Sequence, residues 1–215
     1  MRSAGIAVLV VLCGWVVMQT EILGARVLAP YFGSAVYVVM GSVIGVFLLS
    51  LAGGYMLGGW LSGSTRSRPM LGACLAAAGL WYVFMPSLTQ PVCDGLLDAG
   101  FDSRWGSLVA ALALFAVPTL LLGTVSPVVV RWLTRGAGDS GFKAGVVLAV
   151  STAASFLGCV VTAFYIVLLS VSWTFRVSGG VLLLVGLVML VPSAVSSSAH
   201  VPASPQPAPA EEGVQ

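Results

Sequence analysis

An all-α bundle of about six membrane-spanning helices is the fold class predicted by three observations. The 215-residue chain is 59% hydrophobic and only 7% charged, where a soluble domain carries about 25% charged residues. Its mean hydropathy is +1.06. Its charges fall almost entirely between long apolar runs. So few charges cannot cover a water-facing surface. In lipid, apolar runs of about 20 residues cross as helices, because a helix satisfies its own backbone polar groups.

The runs place spans at about 4–25, 35–61, 69–89, 106–133, 144–170 and 174–192. The first looks at a glance like a signal peptide, with Arg2 ahead of apolar Ala4–Met18. No small-x-small cleavage site follows; Gln19-Thr20-Glu21 does, and Leu12 before Cys13 is wrong for lipoprotein-type cleavage. An uncleaved first helix is therefore expected. A short aromatic loop, through Tyr31 and Phe32, leads to the second span. There Gly41 and Gly45, then Ser50, Gly54 and Gly58, recur every four residues. Lipid supplies no hydrophobic drive between helices, so such small residues permit the close approach that holds them together.

The third span ends in a loop expected to hold Asp94, Asp98 and Asp102. Pro118 and Pro127 in the fourth span each remove a backbone donor and predict a kinked or interrupted helix. The carbonyls they free need a partner or a water-lined cavity. On the fifth span Ser151, Ser155 and Cys159 share one face, and Ala154, Gly158 and Thr162 another. Packing within the bundle and a homodimer interface both satisfy these small-residue spacings.

With the N-terminus inside, six of the nine Lys and Arg (Arg2, Arg66, Arg68, Arg131, Arg135, Lys143) lie on the inner side, and Arg26, Arg104 and Arg176 on the outer. The positive-inside rule then places both termini in the cytoplasm, as expected for a multi-pass protein of a bacterial inner membrane. Residues 1–192 form the membrane domain. Residues 193–215, with four prolines, three consecutive serines and His200, are expected to be a disordered cytoplasmic tail.

Several function classes are excluded. A net charge of +2 without a basic patch argues against nucleic-acid binding. There is no HExxH, GxSxG or P-loop, and no GxGxxG after a soluble strand, so catalysis by this chain alone is not expected. The four cysteines form no CxxC pair, and three lie within spans as small hydrophobes. No metal or cofactor set is evident. The lipid bilayer is the expected partner, and the cytoplasmic rim of basic residues suits lipid headgroups.

Glu21 is the one carboxylate within or bordering a span. A charge at mid-membrane costs about 2.5–3.5 kcal/mol on insertion scales and less near an interface. Glu21 is thus a candidate proton or cation site, with Gln19 and Thr20 beside it, or else an interfacial carboxylate. Pairing with Arg26, five residues on, requires the helix to break around Gly24.

The segment EILGARVLAPYFGSAVYVVMGSVIGVFLLSLAGGYMLGGWL resembles the N-terminal membrane portion of membrane-bound spermidine synthase-like proteins, in which a major-facilitator-like part is fused to a spermidine synthase domain. Glu21, Arg26, Leu28, Ala29, Pro30, Tyr31, Phe32, Gly33 and Ser34 match its first motif. Gly53, Gly54, Tyr55, Leu57, Gly58, Gly59 and Leu61 match its second. Gly123–Arg131 and Ser151–Phe164 are similar to later motifs. The family's acidic residue after the second span falls at Gly63, and its arginine at Trp60. The resemblance implies a bundle like one half of a major facilitator, acting as a membrane module for a separate cytoplasmic aminopropyltransferase-like protein. Alternatively, it implies a small-amine transporter or half-transporter working as a homodimer. Gln19, Glu21, Arg26 and Tyr31 are then the expected amine contacts; Ser50, Gly54, Gly58 and Gly158 pack helices; Pro118 and Pro127 kink or gate.

Overall fold

The computed structural model describes residues 3–33, 36–134 and 140–191; Arg2, Ser34, Arg135 and the 193–215 segment with His200 lie outside them. Among the described residues all regular structure is helical: α1 (Ser3–Phe32), α2 (Val36–Ser62), α3 (Ser67–Asp98), α4 (Ser103–Ala111), a π-helical segment (Leu112–Ala116), α5 (Val117–Gly123), α6 (Val125–Leu133), α7 (Ser140–Phe164), a 3-10 turn (Ile166–Leu168) and α8 (Val171–Leu190). Six of the resulting rods are long and apolar enough to cross a membrane, α4 to α6 forming one of them and α7 with its 3-10 turn another. The protein is an all-α multi-pass bundle.

Two loops expected from sequence are helix. The Ala29–Phe32 stretch is the last turn of α1, because Leu28 and Phe32 continue its buried stripe and the Phe32 ring lies against Gly106 of α4. Likewise α3 runs on to Asp98 through Pro86 and Pro91. Met85, Thr89 and Cys93, four residues apart, keep one face buried to its end. Asp94 and Asp98 are therefore exposed on the last turns of α3. Only Asp102 remains in the connection, where it caps α4 by accepting from the Trp105 amide at 3.0 Å. Gly100, at φ 78°, makes the left-handed turn between them.

The helices pair at long range. The first span packs chiefly on the fifth, the second on the fourth and the third on the sixth. Exchanging spans one to three with spans four to six leaves this pattern unchanged. Each triplet has an odd number of spans, so the two run through the membrane in opposite senses, as in an inverted repeat.

Glycines make the close contacts. α3 and α8 run antiparallel, with Gly72 set on Gly186 and Gly79 on Gly179. A methyl group on Gly179 would lie 2.6 Å from the Gly79 carbonyl oxygen and 2.8 Å from the Val83 nitrogen. On α2, Gly54 abuts Leu120 and Gly123, and a methyl on Gly58 would meet Thr124 O at 2.5 Å and Pro127 Cγ at 2.6 Å. Ser50 is buried on the same stripe. Gly158 of α7 faces the Trp15 backbone, and Ser155 donates to the Gly14 carbonyl at 3.1 Å. By contrast Gly41 and Gly45 of α2, with Gly141 and Gly145 of α7, have no neighbouring atom within 4 Å of an added methyl.

The fourth span is interrupted as its prolines require. The π-helical segment ends where Pro118 enters the first turn of α5, and Thr124 separates α5 from α6, its hydroxyl donating to Leu121 O at 2.6 Å. Pro127 sits in the first turn of α6, where a missing N–H costs little. Pro118 cannot donate to the Leu114 carbonyl four residues before it. The Trp81 indole N–H of α3 donates there instead, at 2.9 Å.

Two outcomes follow for stability. Gly179→Ala should lower the melting temperature in detergent sharply, since overpacking costs about 1–3 kcal/mol, whereas Gly180→Ala, where an added methyl meets nothing, should not. Trp81→Phe should destabilise by about 1 kcal/mol or more. The loss should shrink in a Pro118→Ala background, which restores a main-chain donor; a double-mutant cycle reads the coupling.

Candidate functional site

α1 packs against every other span, and two of its faces border hollows. Cys13, Gly14, Val17 and Met18 form part of the floor of a cleft of about 190 Å³. The fourth span completes that floor with Leu122, Gly123 and Ser126. α2 supplies a wall with Tyr55, and α7 another with Ser151, Thr152 and Ser155. Floor residues such as Cys13, Val17 and Leu122 are buried, whereas Tyr55, Leu148 and Thr152 are exposed, so the mouth opens between α2 and α7. Among the described residues five hydroxyl groups line this cleft within the apolar part of the bundle, and no charged residue does.

Glu21 extends the floor stripe. It lies four residues beyond Val17 and three beyond Met18, the spacings that stack side chains on one helical face. It is half-buried, and no oppositely charged group among the described residues faces it. α1 does not break at Gly24, where a methyl group would lie 3.0 Å from the Phe115 ring, so Arg26 stays exposed and apart from Glu21. The Glu21–Arg26 pair considered from sequence is absent for that reason.

Gln19 is two residues before Glu21, hence about 200° around the helix, and points away from the cleft. Only 4% exposed, it accepts from Trp15 Nε1 at 2.8 Å and donates to Ser178 Oγ of α8 at 2.9 Å. Tyr31 lies beside Phe32 near the Cys93–Asp94 end of α3. The four residues singled out from sequence thus do not converge. Glu21 belongs with the cleft, Gln19 with the opposite face, and Arg26 and Tyr31 with neither.

The hydroxyl wall of α7 was visible in sequence only as a small-residue face, since Ser151 and Ser155 serve packing and cleft together. A second polar node escaped sequence reasoning. Tyr82, wholly buried in α3, turns its phenol toward Thr20 of α1 and Thr119 of α5. Thr20 donates to Val16 O at 2.7 Å, while Tyr82 Oη and Thr119 Oγ1 make no hydrogen bond of good geometry. A lone tyrosine at mid-span, among alanines and leucines, was the available signal. Among the described residues no three His, Cys, Asp or Glu side chains group as metal ligands.

The contrast between the two α1 faces is measurable. Gln19→Leu removes the partners of Trp15 and Ser178 and should destabilise by about 1–3 kcal/mol in thermal or denaturant unfolding. Glu21→Gln, which discharges a half-buried and unpaired carboxylate, should leave stability unchanged or raise it.

No family model, curated protein or solved structure matches the chain.

Proposed function

We propose that the chain is a membrane module that binds a small amine in the α1 cleft, with Glu21 as counter-charge, and carries it across the membrane as a pair of half-bundles. One observation carries this reading: an unpaired carboxylate stands on the helical face that, one turn away, floors a hydroxyl-lined cleft. Hydroxyls satisfy the N–H groups of an amine, and a carboxylate in a poorly hydrated setting favours a cation over water.

The cleft mouth also supports a second copy as its cover. Lipid chains cannot hydrogen-bond to the five hydroxyls. The flanking helices offer bare glycine faces, Gly41 and Gly45 on α2 and Gly141 and Gly145 on α7, suited to close helix contact. Two copies meeting there close one passage from two half-clefts.

Equilibrium binding of a radiolabelled diamine, with uptake into proteoliposomes, tests the proposal. Glu21→Gln should weaken binding at least about tenfold, the worth of one charged hydrogen bond. Gly45→Trp should abolish uptake yet spare binding. Absence of amine binding by the intact protein overturns the reading.

The resemblance of Glu21–Ser34 favours a related role, in which the bundle delivers the amine to a separate cytoplasmic aminopropyltransferase-like enzyme. Gentle extraction from native membranes and mass spectrometry should then recover such a protein in stoichiometric amount. Diamine binding without uptake, together with that partner, would select this role over transport.

A further inference from the structure

We propose that the core of the bundle binds one water molecule, held by the hydroxyls of Tyr82, Thr119 and Thr20. α1, α3 and the fourth span then share a single hydrogen-bonded node. All three side chains are buried, with no more than 2% of any of them exposed. The Tyr82 phenol faces both threonines, one on α1 and one on α5. Among the described residues, Tyr82 Oη and Thr119 Oγ1 have no hydrogen-bond partner. The apolar side chains around them can supply none, and a hydroxyl buried without a partner forfeits the bond it makes in water.

Neither hydroxyl can turn elsewhere. The Tyr82 ring stacks on Phe175 of α8 with centroids 6.1 Å apart. Gly179 of the same helix lies against its Cβ, which a methyl group on that glycine would approach to 3.0 Å. The ring is thus clamped from the α8 side, and its hydroxyl is presented to α1 and α5. Thr119 lacks the local outlet that other threonines take. Thr20, Thr89, Thr134 and Thr174 each donate to the carbonyl four residues back, and Thr124 to the one three back. Four residues before Thr119 is Phe115, within the π-helical segment, whose wider turn carries that carbonyl out of register.

The count of donors and acceptors selects the occupant. Thr20 commits its proton to Val16 O, so toward the node its oxygen can only accept. Tyr82 and Thr119 each bring an uncommitted proton. One water accepts from those two and donates to Thr20, which makes the roughly three hydrogen bonds typical of a buried water. A hard cation would ask for about six oxygens, and it would meet two O–H groups that have protons to place.

X-ray radiolytic hydroxyl labelling of the intact protein in lipid nanodiscs, read by mass spectrometry, tests this. Inside a closed core, only a bound water can yield the radical that marks a neighbouring side chain. Tyr82 should be hydroxylated although it is fully buried. Phe47 and Phe32, equally buried rings, should stay at background and report that the core is closed. Thr20→Val with Thr119→Val keeps the shape of both side chains and removes two of the three partners, so the Tyr82 label should be lost. An unlabelled Tyr82 in the wild type overturns the proposal and means that the hydroxyls meet one another directly. A Tyr82 label that persists in the double variant, with Phe47 and Phe32 still unmarked, overturns it too. Should the double variant fail to fold, Phe47 and Phe32 become labelled, and the wild-type contrast between Tyr82 and those two rings decides alone.

Discussion

Close backbone contact at glycine is the constraint on which the rest of the bundle depends. Lipid is as apolar as leucine, so helices in it gain nothing by hiding side chains from solvent. What remains is dispersion over surfaces that fit, with hydrogen bonds where a backbone group is freed. Gly72, Gly79, Gly179 and Gly186 bring α3 and α8 within backbone contact, and Gly54 and Gly58 do the same for α2 against the fourth span. With those seams fixed, Trp81 reaches the Leu114 carbonyl and the π-helical segment is held in place. The break in the fourth span is thus tied to a neighbouring helix.

The same seams leave α1 as a partition between two unlike spaces. Its Gly14–Glu21 stripe faces hydroxyls and ends in a carboxylate, while Gln19 faces tryptophan and valine. One helix serves both because successive residues turn by about 100°. A polar residue moved by two positions would change hollows. A hydroxyl-lined hollow and a mostly apolar one are thereby kept within one helix diameter of each other without mixing.

Fold class was legible in the sequence, and the reason is specific to lipid: few charges and long apolar runs admit few other solutions. Span ends were less so. The sequence ends the first span near residue 25 and the third near 89, yet buried stripes at Leu28–Phe32 and Met85–Cys93 carry the helices on to Phe32 and Asp98. The glycine seam of α3 and α8 was missed because its period is seven residues rather than four, and a seven-residue step stands out only when both partners are known. Glu21 was visible as a lone carboxylate. Its separation from Gln19 and Arg26 follows from a continuous α1: a pair with Arg26 requires a break at Gly24, and the helix runs straight through that position beneath the Phe115 ring.

The pairing of spans one with five, two with four and three with six has a consequence for synthesis. No helix meets its principal partner until the fourth has been made, and α3 waits for the last. A nascent chain grows at about 5–20 residues per second, so the first three helices dwell in the bilayer for seconds with their glycine faces bare. The early spans must therefore be tolerated by lipid one at a time, which their charge-sparse composition allows. Assembly of this protein is a late event, triggered by the arrival of its final helices.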